Sequence, residues 1–499
     1  MTSDVVVVGS GGGALIGAYL AQRSGLSTVV LERTDLIGGT SAYSGGACWL
    51  PGSDVQQRAG VDDSTESARA YLEALLPAPF PSVVETFLAE APTLVATLEA
   101  DDAFEFEWLP FPEYFDAPGR VTMGRSIQPV DIRRDELPAE VAALVRPPVE
   151  SDRVGAGGRR TLTGGQALIA RALHAFVREG GTVLTGHHVT DYLVEDGRVV
   201  GVEATAADGP TSIRADRGVL VAAGGFEGSS AMRLEYGVPG DAEWTMAPAG
   251  TNAGELIEAG LTLGAAIDHM DQGWLCPGLE QPDGGGSFTL GFRGGVMVDT
   301  HGRRYANECL PYDRFGRAMA ESADRIPSHL VFDSREGGRL PAIAMPEGDP
   351  EQHLAAGTWV RADTLAELAS LRGLTDLSET IDRFNAGVES GLDDFGRGVD
   401  EYDAFFTGGA DRALVPIDTP PFYAARFVLS DLGTKGGLVT DENGRVLRGD
   451  GRPIPGLYAT SNSAASIFGS VYPGPGAPLG QALVFASLAV QHISAAEGT

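Results

Sequence analysis

Cysteine is scarce in this 499-residue chain: Cys48, Cys276 and Cys309 are the only three, and they stand far apart. Three scattered thiols exclude a disulfide framework and offer no metal-ligand spacing, so reduced, buried thiols in a cytoplasmic protein are expected. Basic residues are few as well. The chain carries 36 Lys and Arg against 68 Asp and Glu, a formal net charge of −32. A field of that sign repels nucleic acid and anionic lipid, and it disfavours a polyanionic substrate unless local bases override it. Long apolar runs are missing too. The uncharged stretch from Val5 to Ala21 is interrupted by five glycines, and it falls short of the roughly twenty apolar residues a membrane span requires. A cleaved leader needs an early basic region, whereas the early charge here is Asp4. No repeat or low-complexity tract is visible. The length predicts two or three domains.

Glycine is plentiful, 68 residues, and it clusters in turns such as Gly9, Gly11 to Gly13, Gly38-Gly39 and Gly224-Gly225. That pattern suits backbone packed against a large ligand. The first cluster is the most informative. Val5 to Val8 read as a buried parallel strand, and Gly9, Gly11 and Ala14 occupy the three positions of a G-x-G-x-x-G/A turn. A helix is expected from about Ala14 to Ser24, then a second apolar strand from Thr28 to Leu31 that ends on Glu32. Gly9 permits the tight turn, Gly11 lets a pyrophosphate approach the backbone, and the helix N-terminus stabilises its charge. Glu32 is placed to accept hydrogen bonds from ribose hydroxyls. Strand, turn, helix, second strand and acid in register point to dinucleotide binding.

Further along, Gly38 to Gly46 is a small-residue segment suited to lie along a cofactor. Residues 65–99 read as helical, and the aromatic, Pro-rich stretch 104–125 as an irregular excursion. A second α/β pattern starts at Thr163 with a helix to about Glu179. Strand-like runs follow at Val183 to Thr185, Val189 to Val194, Val199 to Ala204, Thr211 to Arg214 and Gly218 to Ala223. Residues from about 273 to 432 differ in texture, with a hairpin signal at Asp299 to Arg304, helices near Thr364 to Leu371 and Leu377 to Asn385, and many aromatics. A small-residue helix over about 480–497 closes the chain. The expected class is therefore α/β, with α+β in an insertion: a discontinuous Rossmann-like nucleotide domain, 1–272 and 433–499, interrupted by a catalytic or substrate domain at 273–432.

Several segments taken together resemble one superfamily. The N-terminal motif, Gly38 to Gly46, Gly302-Arg-Arg-Tyr-Ala-Asn-Glu308 and Gly433-Thr-Lys-Gly-Gly-Leu438 are similar to the flavoproteins of the fumarate-reductase/succinate-dehydrogenase superfamily. Within it, Leu310-Pro-Tyr-Asp-Arg-Phe-Gly-Arg317, Ser430 to Gly437 and Tyr472-Pro-Gly-Pro-Gly-Ala-Pro-Leu-Gly480 resemble the 3-ketosteroid Δ1-dehydrogenases, over essentially the whole chain. The resemblance implies FAD, a steroid substrate, removal of hydrogens from C1 and C2 of ring A, and an electron acceptor that no motif identifies. It implies a cofactor set of Gly9, Ser10, Gly11, Gly13, Ala14, Glu32, Gly39, Thr40, Ser41, Ser44, Gly45, Gly46, Ala223, Gly224, Asn462 and Leu479. Gly39 stands where some superfamily members attach flavin through a His, so non-covalent FAD is expected. Many family members carry Gly where this chain has Ser461, a place that favours φ > 0 or close approach.

The resemblance also assigns roles: Tyr312 as the base for the C2 proton, Tyr114 as its hydrogen-bonded helper, and the Tyr472 hydroxyl with the Gly476 N–H as donors to the C3 oxygen. The chemistry is sound, because two donors on that oxygen form an oxyanion hole for an enolate. A free tyrosine has a pKa near 10, so a tyrosine base needs a substrate acidified in this way. His269, His301 and His329 are read as structural or solvated, and no metal site is expected. Two enzymatic alternatives stay open. One desaturates or reduces C4–C5 of ring A, and the other is a fumarate-type reductase using Arg303, Arg304, Arg314 or Arg317 as a dicarboxylate clamp. A non-catalytic protein reusing the flavin fold is a third, against which the intact Gly9, Gly11 and Glu32 argue.

Overall fold

The computed structural model describes residues 1–156, 158–409 and 412–496. The chain forms two compact units. The first comprises Met1–Gly237, Ala247–Gln272 and Thr434–Thr499, and the second Val238–Met246 and Gly273–Gly433. Residues 238–246 thus group with the insertion and not with the nucleotide domain expected for 1–272.

In the first unit, strand β1 (Thr2–Val8) leads through a glycine turn into helix α1 (Gly12–Arg23) and strand β2 (Thr28–Leu31). β1 is parallel to β2 on one side and to Gly209–Val221 on the other. Val5, Val6 and Val7 have no exposed surface, a burial worth about 1.5–3 kcal/mol per side chain. The sheet runs in the order Arg445–Leu447, Pro453–Ala459, Gly209–Val221, β1, β2, Thr182–Leu184. His188–Glu195 and Arg198–Ala206 extend it as antiparallel strands beyond Gly209–Val221.

The boundaries differ from expectation in identifiable places. Residues 65–99 are two helices, Thr65–Leu75 and Ser82–Glu99, because Pro77, Pro79 and Pro81 break the run between them. The runs at Thr211 and Gly218 are one 13-residue strand, Gly209–Val221. The closing helix begins earlier, at Ala477, where Pro478 suits its first turn, and runs to Ala495; Glu497 lies outside the described residues.

The second unit is built on a seven-stranded sheet with the order Val296–Val298, Ser328–Asp333, Phe422–Thr434, Gly273–Glu280, Gly286–Leu290, Ile343–Met345, and Trp359–Ala362 paired to Phe422–Thr434. One core cluster contains Leu275, Phe315, Met319, Trp359 and Phe427, all nearly inaccessible. The helix Tyr312–Ala320 lies close against the strand Gly273–Glu280: a Cβ on Gly316 would come within 2.8 Å of the Cys276 nitrogen. Among the described residues no helix is long and apolar enough to cross a membrane, and no group of three or more His, Cys, Asp or Glu is placed to hold a metal ion.

Candidate active site

The glycine turn after β1 is forced by its surroundings. Gly9 has φ +101°, and a Cβ there would lie 2.2 Å from the Ala222 carbonyl oxygen. The turn delivers the N-terminus of α1, which has Gly11 as its cap and no acidic residue in its first turn. The residues expected to hold a cofactor gather around it. The Gly12 N–H donates to the Ser41 hydroxyl at 3.1 Å, and the Gly38 N–H to the Ser10 hydroxyl at 2.9 Å. The Ser10 hydroxyl donates to Glu32, whose other carboxylate oxygen accepts from the Thr34 N–H and hydroxyl, each at 2.8 Å. A Cβ on Gly12 would lie 3.2 Å from Leu479, and one on Gly13 would lie 2.6 Å from the Ser461 hydroxyl. The Ala223 N–H and Gly224 carbonyl both bond the Ser463 hydroxyl, at 3.0 and 2.8 Å, beside Asn462. Thr40, Ser44, Gly45 and Gly46 follow along the segment that begins at the 3₁₀ turn Gly39–Tyr43.

This cradle fits FAD on physical grounds. A helix N-terminus free of acidic side chains suits a pyrophosphate, and Cβ atoms on Gly39 or Gly45 would meet nothing within 4 Å, so the chain leaves open space beside them. Ser461 adopts φ +57°, a left-handed conformation that few non-glycine residues take. Glycine adopts that conformation without a Cβ penalty.

Tyr114, Tyr472 and Gly476 come together in the same unit. The two tyrosine rings meet edge to face with centroids 5.1 Å apart, and both side chains are buried. The Tyr114 N–H donates to the Pro473 carbonyl at 3.2 Å. Gly476, at φ +85°, caps the helix Ala477–Ala495 and presses on Ala47, whose carbonyl carbon and oxygen would each lie 2.3 Å from a Cβ there. Tyr312 belongs to the second unit. It opens the helix Tyr312–Ala320 after Pro311, is buried, and meets the Phe288 ring at 4.8 Å and 88°.

Two groups near these tyrosines were given no role by the sequence. Lys435 is buried, and its ammonium donates to the Ser470 carbonyl at 2.7 Å while lying 5.8 Å from the centre of the Tyr472 ring. Its motif was visible, its role was not. Arg125 has no exposed side-chain surface and pairs with Glu113 at 2.6 Å and Asp63 at 2.8 Å. Burial pushes the Glu113 carboxyl up from its ordinary range, and the Arg125 charge opposes that rise. Removing one partner strands a buried charge, at a cost of about 3–5 kcal/mol.

Three of the four arginines considered for a dicarboxylate clamp are engaged by carboxylates. Arg303 pairs with Asp376, Arg304 with Glu308 at 2.7 Å and with Asp393, and Arg317 with Asp313 at 2.8 Å. Of the histidines, His329 is buried on the strand Ser328–Asp333, whereas His301 is exposed. The three cysteines are free and buried.

The chain matches a family model described as FAD binding domain over residues 4–479. It is 41% identical to a 3-oxosteroid 1-dehydrogenase of Rhodococcus opacus, the alignment covering 98% of each chain. It is 36% identical to a 3-oxosteroid 1-dehydrogenase of Mycobacterium tuberculosis, again over 98% of each. Among solved structures it is similar to a 3-ketosteroid Δ1-dehydrogenase from Sterolibacterium denitrificans in complex with 1,4-androstadiene-3,17-dione. That match has a TM-score of 0.90 and 30% identity, and covers 99% of each chain.

Proposed function

This chain belongs to the 3-oxosteroid 1-dehydrogenase family of FAD-binding flavoproteins, and from that premise we propose how its residues divide the reaction. The enzyme is an FAD-dependent oxidoreductase that introduces the C1=C2 double bond into ring A of 3-ketosteroids. Desaturation removes a proton from C2 and a hydride from C1. When bound, FAD supplies the acceptor for the hydride. Gly9, Ser10, Gly11, Gly13, Ala14, Glu32, Gly39, Thr40, Ser41, Ser44, Gly45, Gly46, Ala223, Gly224, Asn462 and Leu479 would hold it, non-covalently, since Gly39 has no side chain to attach it.

The remaining work falls to the protein. The Tyr472 hydroxyl and Gly476 N–H donate to the C3 oxygen, so that charge developing there on loss of the C2 proton is met by two donors. Tyr312 takes the proton, and Tyr114 assists. The observation that supports this reading is the Tyr114–Tyr472 ring pair at the short turn that ends at the Gly476 cap. The engagement of Arg303, Arg304 and Arg317 by carboxylates disfavours a dicarboxylate substrate. Buried free thiols support a reducing compartment, the cytoplasm.

The test is anaerobic. A 3-ketosteroid with a saturated ring A, or its 4-ene analogue, is expected to bleach the flavin and yield the 1-ene or 1,4-diene, whereas succinate leaves it oxidised. Tyr472→Phe is expected to slow bleaching by about a hundredfold or more with FAD still bound, the loss typical of one oxyanion donor. Reduction by succinate at a comparable rate, or normal bleaching by Tyr472→Phe, would falsify the reading.

A further inference from the structure

The turn from Tyr472 to Gly476 has no regular structure of its own, yet three of its carbonyls are held by groups far away in the chain. The Pro473 carbonyl accepts from the Tyr71 hydroxyl at 2.7 Å as well as from the Tyr114 N–H. The Pro475 carbonyl accepts from the Ser126 hydroxyl at 2.5 Å, and the Gly476 carbonyl from the Trp49 N–H at 3.1 Å. Tyr71 makes a second bond: its oxygen accepts from the Phe115 N–H at 3.1 Å. One phenol oxygen thus ties the residue after Tyr472 to the residue after Tyr114.

Behind Tyr71 lies Arg125. Its guanidinium carbon is 5.4 Å from the centre of the Trp49 ring and 5.7 Å from that of Tyr71. All three of its nitrogens donate: Nε to Glu113 at 2.6 Å, Nη1 to Asp63 at 2.8 Å and Ser67 at 3.2 Å, and Nη2 to Glu113 at 3.2 Å and the Gly119 carbonyl at 2.5 Å. Glu113, which directly precedes Tyr114, also accepts from Trp49 Nε1 at 3.0 Å. A buried polar network satisfied to this degree specifies one arrangement of its members, because every alternative leaves a charge or a donor without a partner.

We infer that Arg125, Glu113 and Tyr71 form a positioning relay that locks Tyr114 and the Pro473–Gly476 turn in one register, so that the Tyr472 hydroxyl and Gly476 N–H keep the placement the C3 oxygen requires. The relay rests on the reading that Tyr472 and Gly476 polarise that oxygen. Its members are positioning residues: they act through the turn's carbonyls and through the backbone of Tyr114 and Phe115. Oxyanion donors work only when fixed in advance, and a displacement of about 1 Å is enough to cost roughly a hundredfold.

Tyr71→Phe is the sharpest test, since it deletes one oxygen and leaves the ring beneath Arg125. With rates expressed per bound FAD, kcat is expected to fall about tenfold, the value of one lost hydrogen bond, with KM within about twofold. Exchange of the substrate's C2 hydrogens with deuterated solvent, followed anaerobically without acceptor, is expected to fall by the same factor. Ser126→Ala, which releases the Pro475 carbonyl, is expected to show the same paired fall. A merely structural role lowers the melting temperature or FAD content and leaves both rates per flavin unchanged. That result overturns the relay, as does a loss of kcat that C2 exchange does not share. Tyr472→Phe is run alongside: if it is slow while Tyr71→Phe and Ser126→Ala are normal, the relay alone fails. If Tyr472→Phe turns over normally, the donor reading and the relay fall together.

Discussion

Gly476 carries two demands that no other residue type meets at once. Its φ of +85° lies in the left-handed region, and the place of its Cβ is taken by the Ala47 carbonyl group and the Cys48 nitrogen, at 2.3 and 2.6 Å. Alanine there must push the turn away from the segment it leans on, carrying Tyr472 with it. Gly476→Ala is therefore expected to lose about a hundredfold or more in turnover while FAD content, read from the flavin absorbance of the purified protein, stays near that of the parent. An active Gly476→Ala enzyme with full turnover would show that this backbone N–H is not a donor to substrate. Ser461 is the opposite case. It tolerates φ +57° with a side chain in place, so the left-handed requirement there is met at some strain and not by glycine.

At the level of elements, the decisive unit is β1, the glycine turn and α1. The turn presents a helix N-terminus whose Gly11 cap has no side chain, and Glu32 after the end of β2 is linked to that turn through Ser10. This is the expected anchor for the pyrophosphate and adenosine ribose. Acid precipitation should release intact FAD, and the apoenzyme can then be titrated with it by calorimetry. Glu32→Gln keeps the shape and removes the charge, so its dissociation constant for FAD should rise about tenfold to a hundredfold, the value of one or two charge-assisted bonds. An unchanged constant would mean that Glu32 serves only to hold Ser10 and Thr34.

For the molecule as a whole, two units with separate cores lead us to expect separate responses to acid. His329 lies inside the sheet of the inserted unit, where burial and the charges of Arg372 and Arg426 hold its pKa down at about 3. An unfolded His titrates near 6.5. Between those values the unfolded chain binds a proton that the folded unit does not, so stability is fully present above about pH 6.5 and is lost as pH falls toward 3. The slope is at most about 1.4 kcal/mol per pH unit for this one group. His329→Gln should flatten it. Thermal unfolding followed by calorimetry at pH 7 and pH 4.5 compares the drop in the two proteins. Equal drops would sink the assignment, since the remaining carboxylates titrate alike in both.

The sequence alone determined the βαβ start with its glycine turn and the turn that follows Tyr472, because each is a local pattern. Four β-branched residues before a glycine turn have one cheap solution, and a Tyr-Pro-Gly-Pro-Gly run restricts its own backbone. The change from βα periodicity to an aromatic, hairpin-rich texture falls at residue 273, where the longer segment of the second compact unit begins. What only the tertiary structure decided lies where partners are distant in the chain. Arg125 sits in a stretch without periodicity, so nothing local distinguishes it from a solvated arginine until folding brings Asp63 and Glu113 to it and removes water from all three. Tyr71 lies within the run read as helical and is not singled out there, and its bond to Pro473, 402 residues away, has no trace in either segment. Local sequence constrains dihedrals and periodicity; a buried charge or a shared carbonyl becomes a constraint only when the fold supplies the second partner.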